Sequence, residues 1–137
     1  MSREAEFLQG PENAFSAPMG AANLSAGAIC VMTGELLVLA DDGATLPCGA
    51  IHEDGTASQT PKVVVDAFVP GSIWLFATTT AFTTLTKECS IACAGSGLVD
   101  GGTAGDPCIG RRVFHDREVD EEFVAVRIEP HVHGEVA

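Results

Sequence analysis

Basic residues are scarce in this chain. Lys62 and Lys87 are its only lysines, and seven Lys and Arg together face nineteen Asp and Glu, for a formal net charge of −12. Direct nucleic-acid binding rests on clustered cations that neutralise phosphates, so this balance argues against it. The surplus reads instead as a soluble, self-repelling surface, to which a high-salt host would be an additional cause. The acidic residues gather in DD, HED and DREVDEE clusters at expected turns, as solvated loops require.

Long apolar runs are missing as well. Hydrophobic residues make up 46% of the chain, yet runs such as residues 36–40 and 73–77 reach only five residues. A membrane-crossing helix needs ~20, so no membrane association is expected. The N-terminus, MSREAEFLQGPENAF, puts Glu4 and Glu6 where a signal peptide carries positive charge and holds no apolar core region, which points to synthesis in the cytoplasm of the producing cell. Five cysteines (Cys30, Cys48, Cys89, Cys93 and Cys108) form an odd set without the dense spacing of a disulfide scaffold, and they read as buried thiols acting as small hydrophobes. No window of helical length carries an amphipathic stripe, which sets aside an α/β architecture with crossover helices.

What the chain does have is a succession of short β-like runs broken by turn residues. AICVM is followed by TGE, LLVLA by DDGA, CGAIH by EDGT and KVVVDAFV by PGS; IWLFATT, the Thr-rich FTTLT and KECSIACA come next, then GSG, LV, DGG and GDP. Val, Ile, Thr, Phe and Trp favour the pleated surface, while Asp-Gly and Pro-Gly tolerate turn conformations. Turn signals every eight to twelve residues or so indicate an all-β fold, a small single-domain β-sandwich or β-barrel. At 137 residues the chain is long enough to bury a real core.

Residues 1–23 read differently, as an extended N-terminal arm preceding a β-rich domain over 24–137. Phe7, Leu8, Phe15 and Met19 stand there among Gly, Pro, Asn, Glu and Ser without a sustained period of either 2 or 3.6. A few large apolar side chains on a polar segment fit a stretch that orders on a partner, so these four are the candidate contact residues.

The stretch GDPCIGRRVF, residues 105–114, spaces Gly105 and Gly110 like the glycines of a phosphate-cradling loop. Such a loop feeds a helix whose N-terminus faces the anion. Here the following segment alternates Val124, Val126 and Ile128 with Ala125, Arg127 and Glu129 at a strand's period of two, and Pro107 removes one cradle amide. Gly105-Asp106-Pro107 is therefore read as a turn, Cys108-Ile109-Gly110 as the start of a strand and Arg111-Arg112 as its polar continuation. Gly110, inside a strand, calls for a bulge, a bend or the close approach of another backbone.

Other chemistry finds little footing. Cys89 and Cys93, with His131 and His133, offer zinc-ligand types, but the second pair lies at the C-terminus, and a strand places Cys89, Ile91 and Cys93 together on one core-facing side. His131-Val132-His133 with Glu135 resembles the metal strand of cupin-like barrels, although further strands follow it there. No G-x-S-x-G pattern surrounds a serine, and Asp41-Asp42 and Glu121-Glu122 lie in polar, turn-like stretches. No catalytic residue, metal or cofactor is assigned.

Taken together, LSAGAICVMTGELLVLADDGATLPCGAIHEDG, PGSIWLFATTTAFTTLTKECSIACAGSGLVDGGTAGDPCIGRRV and FVAVRIEP, across about residues 24–128, resemble the small capsid decoration, or cement, proteins of tailed phages and related viruses. Residues 97–106 match that family's turn region, with Arg111 and Arg112 at its end. Lys87, the cysteine content and the acidic stretch over 116–122 depart from its pattern. The resemblance implies a non-enzymatic virion protein that binds the outer face of an assembled capsid and reinforces contacts between major capsid protein subunits. It also implies association with other copies of itself, often as trimers, and an arm lying along the shell or a neighbour. The runner-up reading is a stand-alone ligand- or metal-binding β-barrel, with a thiol or zinc enzyme behind it.

Overall fold

The computed structural model describes residues 5–20, 26–40, 46–52, 54, 63–79, 82–95, 98–102, 105–116, 118 and 122–132. Among these residues eleven strands run in chain order: β1 (Ala5–Gln9), β2 (Ala14–Ala17), β3 (Ile29–Thr33), β4 (Leu36–Leu39), β5 (Gly49–Ile51), β6 (Val63–Ala67), β7 (Ile73–Ala77), β8 (Ser90–Gly95), β9 (Leu98–Gly101), β10 (Pro107–Arg112) and β11 (Phe123–Val132). They form two antiparallel sheets, one in the order β1-β7-β11-β10-β8-β9 and the other β2-β6-β5-β3-β4. The fold is all-β, a sandwich, as the turn spacing requires. Among the described residues the sole helical element is one 3-10 turn, Phe82–Thr84, and no helix is long and apolar enough to cross a membrane.

That turn occupies part of the Thr-rich stretch expected to be a strand. Strand preference measures how well a side chain packs on a pleated surface. Thr83 and Thr84 are exposed and find no such surface; Leu85, which follows them, reaches the core. The other turn residues behave as their chemistry dictates. Gly34 (φ +64°) leads the two-residue loop between Thr33 and Leu36, the first-position glycine of a type II′ hairpin. Pro70 and Gly71 (φ +94°) make a turn closed by the Ser72 N–H donating to the Val69 carbonyl at 3.0 Å, with glycine where a positive φ is needed. The DDGA turn and most of EDGT lie outside the described residues.

Two apolar clusters share the five-stranded sheet. The larger lies between the sheets and joins Trp74, Phe76, Ile91, Cys93, Val99, Ile109, Val124, Val126 and Ile128 to Ile29, Val31 and Ala50. The smaller, on the sheet's opposite face, gathers Ala17, Met19, Ala28, Cys30, Leu37, Ile51, Val63 and Val65. Residues 28–31 and strand β5 are thus covered on both faces, which is why they are continuously apolar instead of alternating, whereas Met32 beyond them is exposed. The smaller cluster is enclosed because the sheet curls: the chain leaving β2 crosses to the far edge, where Met19 pairs in parallel with Leu37. The Leu37 N–H donates to the Pro18 carbonyl at 2.9 Å and the Gly20 N–H to the Leu37 carbonyl at 2.8 Å. The six-stranded sheet bends likewise, Thr78 pairing in parallel with Val99.

Residues 105–112 form a turn and strand, not a phosphate loop. Gly105 has φ +90° and β10 follows from Pro107. Both of β10's pairings shift register between Cys108 and Gly110, and a Cβ on Gly110 would strike the Arg127 carbonyl oxygen. Gly110 therefore marks a bulge and a close backbone approach together. On β11, Val124, Val126 and Ile128 face the larger cluster, as their period of two requires.

Candidate functional site

Where an arm was expected, residues 5–20 run as strands at the edges of both sheets. β1 pairs with β7, setting Phe7 opposite Trp74, and β2 pairs with β6, setting Phe15 opposite Val65. The 23/24 boundary itself lies outside the described residues. Of the four candidate contact residues, Met19 is buried within the smaller cluster, and half-buried Phe15 packs against it. Phe7 meets Trp74 edge-on with ring centroids 5.6 Å apart, the outermost contact of an aromatic group in which Phe68 touches both Trp74 (5.0 Å) and Phe76 (5.4 Å). Half-buried Leu8 belongs to neither cluster. The four are not one patch: Phe7 and Leu8 lie on the β1 edge, Phe15 on the β2 edge, and Met19 beside Leu37 at the β4 edge.

Between those edges, where the chain passes from β1 to β2, lies a cavity of about 250 Å³ lined by Phe7, Glu12, Asn13, His52, Asp66, Ala67 and Trp74. Asn13 shapes its rim, accepting from the Ala14 N–H at 3.0 Å through its side chain and from the Ala67 N–H at 2.9 Å through its carbonyl. His52 Nδ1 lies 2.9 Å from Asp66 Oδ2. The cavity is smaller than most ligand pockets (roughly 300–1,000 Å³). It offers a carboxylate–imidazole pair beside aromatic rings, and among the described residues its lining brings no serine, threonine or cysteine to that pair.

The residues considered for metal binding separate in space. Cys89, Ile91 and Cys93 pack into the larger cluster, as one face of a strand should. Burial raises the Cys89 thiol above its ordinary value. Glu135 and His133 lie outside the described residues, among which no group of three potential metal ligands occurs. His131 is committed elsewhere: its Nδ1 lies 2.7 Å from the Glu129 carbonyl oxygen and its Nε2 2.8 Å from Ser90 Oγ. A carbonyl only accepts, so in the neutral ring Nδ1 holds the proton and Nε2 accepts from the serine.

Two ionic arrangements escape a sequence reading. Arg112, taken as the polar continuation of its strand, is buried, and so is the carboxylate of Glu118 from the acidic stretch assigned to solvent; their side chains are 5% and 3% exposed. The guanidinium grips the carboxylate with two hydrogen bonds (2.7 and 3.2 Å) and donates a third to the Leu85 carbonyl at 2.7 Å. The Ala125 N–H donates to the same carboxylate at 2.7 Å, and the Phe114 ring covers the guanidinium at 4.3 Å. Full pairing is what makes burial of both charges tolerable. The second arrangement is on the surface, where Arg127 holds Glu88 and Glu129, and Glu129 also takes Arg111 at 2.7 Å. The hydrogen bond from Arg127 draws the Glu88 carboxyl below its ordinary value, and that from Arg111 does the same for Glu129.

No family model matches the chain, and neither curated proteins nor solved structures give a match.

Proposed function

We propose that this is a virion structural protein that binds the outer surface of an assembled capsid and strengthens contacts between major capsid protein subunits. The observation carrying the reading is the order of turn and strand phrases over about residues 24–128, which resembles that of small capsid decoration proteins. The edge position of β1 and β2 agrees with it, because an edge strand presents outward N–H and C=O groups to which a neighbouring chain can add. Such a role needs no catalytic group. Binding at many equivalent positions raises the barrier to shell rupture through added contact area and through mutual support between neighbouring copies. The partners are then the major capsid protein and further copies of this chain, as a homotrimer, with the protein residing on the virion surface.

The test is to mix purified protein with empty shells, sediment them and image the pellet by electron microscopy. Co-sedimentation with added density at fixed symmetry positions is expected, together with shells that survive higher temperature. Bare shells at saturating protein would remove the reading.

The Ser90–His131 contact favours a second reading, a serine nucleophile with an imidazole base oriented by a backbone carbonyl. Labelling of Ser90 by a fluorophosphonate, lost in His131→Gln, would support it, and an unlabelled protein would dispose of it.

A further inference from the structure

Cys30 and Cys48 bring their sulfurs within 4.0 Å of each other. Cys30 lies on β3, which pairs with β5 so that Cys30 faces Gly49, and the Cys48 N–H donates to the Cys30 carbonyl at 2.9 Å. Each thiol also donates along the same seam: Cys30 to the Gly49 carbonyl and Cys48 to the Cys30 carbonyl, both at 3.4 Å. Backbone pairing therefore holds the two residues in register, and the sulfurs stand about 2 Å beyond the ~2.05 Å of a bond. None of the five cysteines is in a disulfide. Cys93 and Cys108 direct their thiols at the Ala40 and Asp106 carbonyls.

We propose that Cys30 and Cys48 are an oxidisable dithiol that a disulfide-class oxidant converts into an intrachain disulfide. The two sulfurs have different parts in it. Cys48 is half-buried and open to a reagent, whereas Cys30 is fully buried and reachable only through its neighbour. The side-chain contact with Cys30 lowers the Cys48 value, and the same contact together with burial raises that of Cys30. Cys48 is thus the attacking thiolate. It displaces one half of the oxidant's S–S bond, and the departing thiolate takes up the proton that Cys48 released. Cys30 then gives up its proton and attacks Cys48 Sγ, breaking the mixed disulfide, and the second oxidant thiol leaves carrying that proton. Two protein thiols are oxidised and one small-molecule disulfide is reduced to two thiols. The product ties β3 to the segment entering β5, closing a loop that contains the β3–β4 hairpin. The inference rests on this domain's own geometry and is independent of the capsid reading.

The test uses the folded full-length protein with oxidised glutathione, followed by acid quench, alkylation in denaturant and mass spectrometry. An endoprotease cutting after Glu35 puts Cys30 and Cys48 on separate fragments. Alkylatable thiols should fall from five to three, with the two fragments joined and the melting temperature raised by about 5–10 °C. Cys48→Ser should keep all its remaining thiols. Five alkylatable thiols after treatment, a bond involving Cys89, Cys93 or Cys108, or glutathione lastingly attached to Cys48 would each overturn the proposal.

Discussion

A single hydrogen atom on Gly110 lets two strands meet. A methyl group there would enter the Arg127 carbonyl, which belongs to backbone already fixed by the β10–β11 ladder and cannot move aside. Gly110→Ala should therefore cost at least ~3 kcal/mol, well above the usual penalty of a strand substitution, as read by urea unfolding. A cost below 1 kcal/mol would mean that the bulge can relax. The Arg112–Glu118 pair makes the opposite kind of demand. Glu118→Gln leaves a buried guanidinium without its counter-charge and should destabilise by about 3–5 kcal/mol, whereas Arg112→Met with Glu118→Leu should recover most of that loss, because neither partner is then stranded. A double-mutant cycle in urea built from Arg112→Met, Glu118→Leu and their combination checks the coupling, and additive single costs would show that the two side chains are not coupled.

The elements were legible in the sequence where local chemistry decides them. Pro70-Gly71 and Gly34 set their turns, and Val124, Val126 and Ile128 set the inward face of β11, since each depends on neighbours a few residues away. The placement of residues 5–20 was not legible, because an edge strand is held by partners such as Val63–Ala67 and Ile73–Ala77 that are remote in the chain. The Cys30–Cys48 contact was hidden for the same reason, since only strand register brings the two together; Arg112 and Glu118 are six residues apart, and they were hidden because no local pattern shows the connection after β10 turning its carboxylate back onto that strand. Register also joins Glu88, which holds a left-handed φ of 68°, to Arg127 on β11. Both carboxylates of that network sit below their ordinary value of 4.5 when folded, so their stabilisation is present above about that pH and disappears as pH falls through the lower folded values. The groups are exposed, which keeps the effect under ~1 kcal/mol per pair. The stability gap between wild type and Arg127→Gln should accordingly narrow from pH 6 to pH 3 in urea titrations, and parallel curves would show that the network is not anchored by those pKa shifts.

At the scale of the whole molecule, charge and packing oppose each other. The accessible surface of 7000 Å² is close to the ~6,700 Å² expected of a compact chain of 14.1 kDa, and the chain carries a formal charge of −12. Five of its seven cations are arginines, and nineteen acidic groups outnumber those seven, so negative charge stays in large excess beyond the pairs that Arg111, Arg112 and Arg127 make. Added salt has two effects of opposite sign. It weakens the exposed Arg127 network, by a few tenths of a kcal/mol for each pair. It also screens repulsion within the acidic surplus, as the Debye length falls from ~30 Å at 0.01 M, enough to span much of the molecule, to ~10 Å at 0.1 M. With nineteen acidic groups against seven cations, repulsion outweighs pairing, so screening it prevails. Raising sodium chloride from ~10 mM to ~500 mM should increase the melting temperature by several degrees, and Arg127→Gln should show an equal or larger rise because it lacks the pairs that salt weakens. A melting temperature that stays level or falls, followed by circular dichroism at pH 7, would place the acidic surplus too far apart to act on the fold.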